Sequence, residues 1–443
     1  MSPAVGTASA RAFATAWAVL CGAAYTLLAL MRFQRFEPTS YDNAIFEQAI
    51  RGYAHLQAPI VPIKGPGFNL LGDHFSPIIA LAAPVYRAFP GAQTLMVVQA
   101  ALIAVSVYVV TSLGLRRLGW WAGGGIAFAY GLSFGLQSAV VSNFHEVAFG
   151  LPLLALAGAA YVQRRYTQVV AWSLPLLLVK EDLGLTVALI GLVLWLAGER
   201  RKGVALAVVG GVGFLLVVLV LIPVLNPEGT YAYTGAVGGD HGVLATVLDD
   251  LGRKLLTVLM TFAVGGLAAL ASPWALLVLP TFAWRFAGDN PYYWGTDFHY
   301  SILLMVIVAI AAIDAMVRHP RLRLLGAVAV VFTVTMQLSS PLSSLVDPEQ
   351  SDQQRIDAAE HVLGLVPDGA SVDTDIGLMT HLVTHHDVTW IGTPGNATPD
   401  FVLLDIDGGF GSPPDAVDYA EERYKVAYTM VEEIDGYQLA RRG

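Results

Sequence analysis

"AFATAWAVLCGAAYTLLALM", residues 12–31, is a run of twenty residues without a charge. At a helical rise of about 1.5 Å per residue it covers roughly 30 Å, the hydrocarbon thickness of a bilayer. It lacks a clean small-residue cleavage site, so it reads as a retained membrane helix rather than a leader. Composition extends that reading to the rest of the chain. Of 443 residues, 55% are hydrophobic and 13% charged, with a mean hydropathy of +0.60. Soluble domains carry roughly a quarter charged residues, so an integral membrane protein is expected. A net charge of -9 argues against nucleic acid as a partner. The lone cysteine, Cys21, lies inside the first run and excludes both a disulfide framework and a thiolate metal site.

Further apolar runs follow at 93–113, 120–141, 147–162, 169–179, 183–197, 204–225, 254–270, 273–284, 301–317 and 323–339. Together they predict about eleven transmembrane helices. Residues 77–89 are too short to span. Basic residues cluster in alternate turns: Arg116-Arg117, Arg164-Arg165, Arg200-Arg201-Lys202, and Arg318, Arg321 and Arg323. The positive-inside rule places those turns and the amino terminus in the cytoplasm, in a multi-pass protein of the cell membrane. After Ser339 the composition changes. Residues 348–443 hold helix-like "DQQRIDAAEHVLGLV" and "DAVDYAEERYK" and strand-like "DVTWIG", "DFVLLDI" and "VAYTMVEEI". The expected fold class is an α-helical polytopic membrane domain, 1–340, with a small C-terminal α/β extracytoplasmic domain, 348–443.

The turns on the other side carry different chemistry. "YDNAIFEQ" supplies Asp42 and Glu47, behind N-cap candidates Pro38-Thr39-Ser40; "GDHFSP" supplies Asp73 and His74, and "NFHE" supplies His145 and Glu146. "VKED" holds Lys180, Glu181 and Asp182; "GGDHG" holds Asp240 and His241; "GTDFHYS" holds Asp297, His299 and Tyr300. Ionisable groups at membrane depth are costly and point to function by default. Each also has a plain structural reading. Asp42 suits a helix N-terminus, Lys180 neutralises its neighbours, "GGDHG" is a glycine-rich loop, and His381 with His385 lie on a surface helix. In combination they predict one polar cavity opening outward. His74, His145, Asp73, Glu146, Glu181 and Asp182 are candidate ligands for a divalent cation, Mg2+ or Mn2+. Arg51, Lys64, Lys180 and Arg285, with His299 and Tyr300, are candidates for holding phosphate or substrate. Asp42 is the acid left to act as a general base.

The stretches "YDNAIFEQAIRGY" (41–53), "LLGDHFSPIIALAAPVYRAFPGAQTLMVVQA" (70–100), "NFHEVAFGLPLLALA" (143–157), "LLVKEDLGL" (177–185) and "GTDFHYS" (295–301) carry a resemblance. In that order they are similar to a family of bacterial predicted membrane proteins, domain of unknown function twenty seventy-nine. "VPDGASVDTDIGLMTHLVTHHDV" (366–388) resembles that family's outer domain. The family in turn resembles the GT-C class of integral membrane glycosyltransferases. That resemblance implies a polyprenyl-phosphate sugar donor, membrane lipids as surroundings and an acceptor in the cell envelope. It also implies a functional acid in the first outer loop, which Asp42 matches by position. Asn43 follows where the class often has a second acid, so base and metal ligand both stay open for Asp42. Two other classes fit a polar cavity among membrane helices. A transporter or flippase would place its ionisable groups near the bilayer midplane, and a non-catalytic envelope-binding protein would not need acids in so many loops.

Overall fold

Small residues decide how the first run packs. In the helix Thr7–Gln34, Ala10, Ala14, Ala18 and Cys21 recur every three or four positions and are buried, so one face lies close against its neighbour. That neighbour is Ala92–Gly131, where the Trp17 indole donates to the Ala127 carbonyl at 3.1 Å and the Tyr25 hydroxyl to Gly131 at 2.6 Å. The computed structural model describes residues 6–37, 41–231, 235, 237–239, 242–346, 352–409 and 411–443. The expected cap Pro38-Thr39-Ser40 and the pair Asp240 and His241 lie outside these.

Ala92–Gly131 is two antiparallel arms. Gly119 takes φ 80°, a left-handed value that breaks the helix. Beyond it the chain folds back so tightly that a Cβ on Gly114 would lie 3.0 Å from the Gly123 carbonyl oxygen. The run expected at 93–113 is the first arm, and that at 120–141 is the second arm together with the following helix Phe134–Val141, with Arg116-Arg117 near the tip.

Four described helical segments are long and apolar enough to cross a membrane: Thr7–Gln34, Ala92–Val141, Arg200–Leu225 and His299–Arg318. The other expected runs are helical but shorter. Tight 3₁₀ turns opening on Pro175, Pro273 and Pro320 break them, because proline cannot donate to the preceding turn. His299–Arg318 is the central helix, with 89% of its apolar window buried. Arg200–Leu225 is peripheral, at 22%, and turns Val212, Leu215 and Leu219 outward. The basic end of the bundle is tied together: Arg117 donates to the Val162 carbonyl and Arg318 to the Tyr161 hydroxyl, each at 2.9 Å.

The C-terminal unit is a five-stranded sheet of order β2-β1-β3-β5-β4. Its strands are β1 Ser371–Thr374, β2 Asp387–Trp390, β3 Phe401–Asp405, β4 Tyr428–Ile434 and β5 Tyr437–Arg442. β1 pairs in parallel with β2 and β3, and β5 runs antiparallel to β3 and β4. The expected strands are β2, β3 and β4, and the expected helices are Gln353–Gly364 and Ala416–Tyr424. β1 and β5 are additions. The unit packs directly on the helical part. It docks on the helix Tyr41–Ala54, where Gln48 donates to Val388 at 2.9 Å and Arg51 to the Val383 and His386 carbonyls at 2.9 and 3.2 Å. Thr393 adds a bond to the Ile63 carbonyl at 2.6 Å.

Candidate functional site

The turn at 142–146 is the centre of the site. Asn143 sits at φ 64°, a left-handed conformation that asparagine tolerates better than most residues. Gln99 reaches across from its helix, donating to the Ala139 and Asn143 carbonyls at 3.0 and 2.8 Å while accepting from the His145 N–H at 2.9 Å. Asn43 accepts from the Phe144 N–H at 3.2 Å. Backbone so held presents the buried His145 with Nε2 3.1 Å from Asp42 Oδ2 and Nδ1 3.2 Å from the Asn143 carbonyl. His299 comes from the start of the central helix and stacks on His145 with 3.6 Å between ring centroids and 28° between planes. Donor atoms of Asp42, His145 and His299 all lie within 4.8 Å of one another.

Two cavities meet at this cluster. One, of ≈ 340 Å³, has a polar wall of His74, Glu146, Lys180, Glu181, Asp182 and Tyr231. Its facing wall is apolar: Phe46, Leu185, Phe214, Pro280, Trp284 and Tyr293. The other, of ≈ 700 Å³, is lined by Arg32, Tyr41, Ser138, Ser142, Tyr292 and Asp297 and reaches Ile376 of the C-terminal unit. Asp42, His145, His299 and Tyr300 line both.

Several of the charges around the first cavity are paired. Lys180 Nζ is 2.9 Å from Glu146 Oε1, so its ion pair is with the 142–146 turn, while its field still reaches the neighbouring Glu181 and Asp182. Tyr231 donates to Glu181 at 3.3 Å. Asp73 is gripped by Lys64 at 2.5 Å and lies 3.4 Å from His74. Burial raises the Asp42 carboxyl, but the His145 hydrogen bond and the positive fields of His145, His74 and Lys180 outweigh it and hold the group at about 2. Asp182 goes the other way, to about 6. Burial dominates there, and Lys180 only partly offsets it, while Glu181 and Glu146 add repulsion.

Three of the expected phosphate-binding cations point elsewhere. Arg51 is spent on docking the C-terminal unit. Arg285 is fully buried and donates to the Tyr293 and Gly295 carbonyls and the Ser301 hydroxyl. Lys64 faces Asp73, and neither lines the cavities. Of the expected metal ligands, His74, His145, Glu146, Glu181 and Asp182 reach the first cavity, but Glu146 belongs to Lys180. The compact ligand set is instead Asp42, His145 and His299. Two imidazoles with one carboxylate suit Zn2+ or Mn2+ better than Mg2+, which prefers all-oxygen surroundings. His381 lies between Phe33 and Phe36 at 4.0 and 4.2 Å, a packing role. Trp284, Tyr293 and Tyr231 went unread: Trp284 ends an apolar run, where an aromatic looks like ordinary core, and the two tyrosines lie in loops away from the charged motifs.

The family model described as predicted membrane protein, DUF2079, matches residues 32–439. The chain belongs to that family. No curated protein matches it.

Proposed function

We propose that this DUF2079 membrane protein is a glycosyltransferase of GT-C type, moving a sugar from a polyprenyl-phosphate donor to a cell-envelope acceptor. The observation that carries the reading is the shared wall: two cavities, one largely apolar and one more polar, meet at Asp42, His145, His299 and Tyr300. A transferase must bring two substrates together at one reacting centre, and that is where such groups are useful. Phe214 of the apolar cavity comes from the peripheral helix whose outer face is Val212, Leu215 and Leu219, a route suited to a prenyl chain. The acceptor hydroxyl attacks the anomeric carbon, its oxygen–carbon bond forms as the carbon–phosphate oxygen bond breaks, and the proton passes to Asp42. His145 lies 3.1 Å from that carboxylate, and Lys180 and His74 line the same cavity, where they could meet the leaving phosphate.

The same reading gives the topology. Site and basic cluster sit at opposite ends of two helical segments, Glu146–Val162 and His299–Arg318, which supports an outward-facing site and a cytoplasmic Arg117–Arg318 end. Asp42→Asn keeps the shape and a hydrogen-bond acceptor but removes the base. In detergent-solubilised protein given a polyprenyl-phosphate sugar and envelope acceptors, transfer should fall about a hundred- to ten-thousandfold with folding retained. Full activity in a well-folded Asp42→Asn protein rules out the base assignment.

A further inference from the structure

We propose that Asp42, His145 and His299 form a binding site for one divalent transition-metal ion of the Zn2+ or Mn2+ type. The proposal goes beyond the transfer reading and does not depend on it. Its first support is the hydrogen-bond inventory of His145. Both ring nitrogens face oxygen acceptors, Nδ1 the Asn143 carbonyl at 3.2 Å and Nε2 the Asp42 carboxylate at 3.1 Å. A neutral imidazole carries one N–H, so one contact sets a lone pair against an oxygen. With the proton on Nδ1 and donated to the backbone, Nε2 points its lone pair at Asp42. That is how metal-ligating histidines are commonly oriented, with the far nitrogen held by a carbonyl. A separation of 3.1 Å between nitrogen and oxygen also matches two adjacent ligands each about 2.1 Å from one ion.

The second support is His299. Its ring stacks on His145 at 3.6 Å, and donor atoms of both rings and of the Asp42 carboxylate lie within 4.8 Å of one another. The residue before it, Phe298, is held at φ 58°, a conformation a bulky side chain adopts only when its surroundings impose it. Such strain clusters where a functional group must be aimed. Charge supports the assignment as well. Five carboxylates gather here, Asp42, Asp73, Glu146, Glu181 and Asp182, while among the described residues Lys64 and Lys180 pair with Asp73 and Glu146, and Arg32 of the second cavity pairs with Glu37. The surplus is negative, as a dication needs.

The experiment uses full-length protein in detergent, stripped with chelator and then titrated with Zn2+ and, as a coloured probe, Co2+. One ion per chain should bind, measured by elemental analysis after desalting, and Co2+ should give a visible spectrum of imidazole coordination. His145→Ala and His299→Ala should each weaken binding by more than about tenfold, a loss that even outer-shell partners of metal ligands can cause. His361→Ala, at an exposed histidine beside Glu432, should leave it unchanged. Asp42→Asn provides a second route should a histidine variant fail to fold, since it too must weaken binding. No ion on the wild-type chain, or undiminished binding in folded His145→Ala and His299→Ala proteins, overturns the site and leaves a His145–Asp42 ion pair. Sugar transfer by a wild-type chain that binds no ion would keep the transfer reading while this one falls. Metal binding without sugar transfer would do the reverse.

Discussion

At the scale of single residues, the position of His145 depends on a side chain that touches neither cavity. Gln99 makes three hydrogen bonds, to Ala139, Asn143 and the His145 N–H, and is itself buried. Gln99→Leu keeps the volume but strands those backbone groups in the interior, at about 1–3 kcal/mol for each one left unpaired. The variant should melt several degrees lower and transfer sugar more slowly even at temperatures where it stays folded, because the 142–146 turn loses its brace. Rates and melting measured side by side separate the two: unchanged transfer by the folded variant means the turn holds itself. The polar residues of this site were legible in the sequence because charges and histidines stand out between apolar runs. Their partners were not. Arg51 is taken by carbonyls 332 and 335 positions away, Lys180 pairs with Glu146 rather than with Glu181 beside it, and His299 meets His145 across about a third of the chain. Only packing reveals which polar groups are already satisfied.

At the scale of elements, the wall holding Leu185 and Phe214 is set by how closely two helices approach. Leu183–Leu196 and Arg200–Leu216 cross over glycines: a Cβ on Gly203 would lie 2.6 Å from the Trp195 nitrogen and 2.7 Å from the Gly191 carbonyl oxygen. Those neighbours are backbone and cannot turn aside, so small residues are what lets the pair close. Gly203→Val should force the helices apart and cost about 1–3 kcal/mol or more. Gly211 on the same helix has nothing within 4 Å of its Cβ position. Gly211→Ala should therefore be neutral or mildly stabilising, by up to about 1 kcal/mol from helix propensity. Thermal unfolding in detergent compares the two, and equal behaviour would mean the helix pair is not tightly closed. Apolar runs predicted where helices form, including both arms that turn back at Gly119. They did not reveal that proline-led 3₁₀ turns shorten several of them, since hydropathy measures burial and not backbone geometry. β5 was missed because "YQLARR" ends in charges and lacks the β-branched pattern of a strand.

At the scale of the whole molecule, one buried carboxyl couples the membrane helices to the C-terminal unit. Glu47 is fully buried on the helix Tyr41–Ala54, accepting through Oε1 from the Tyr86 hydroxyl at 2.9 Å and from Thr384 of the C-terminal unit at 2.7 Å. Oε2 has no hydrogen-bond partner among the described residues. Burial raises its pKa from 4.5 to about 7, against the lowering effects of Thr384, Tyr86 and Arg51. The sign follows directly. The folded chain holds this proton more tightly than the unfolded chain, so the contribution is fully favourable below the unfolded value and is lost as pH rises through the folded one. Stability should therefore decline between about pH 4.5 and about pH 7, by roughly 3 kcal/mol from this group if the whole shift is expressed. Glu47→Gln is neutral at every pH and keeps an oxygen for Tyr86 and Thr384. Its melting temperature should be less sensitive to pH over that window and exceed that of the wild type near pH 8. Protease added to native protein should release the C-terminal unit more readily from the wild type at pH 8 than at pH 5, and equally at both from the variant. The same slope in both proteins would place the titrating group elsewhere.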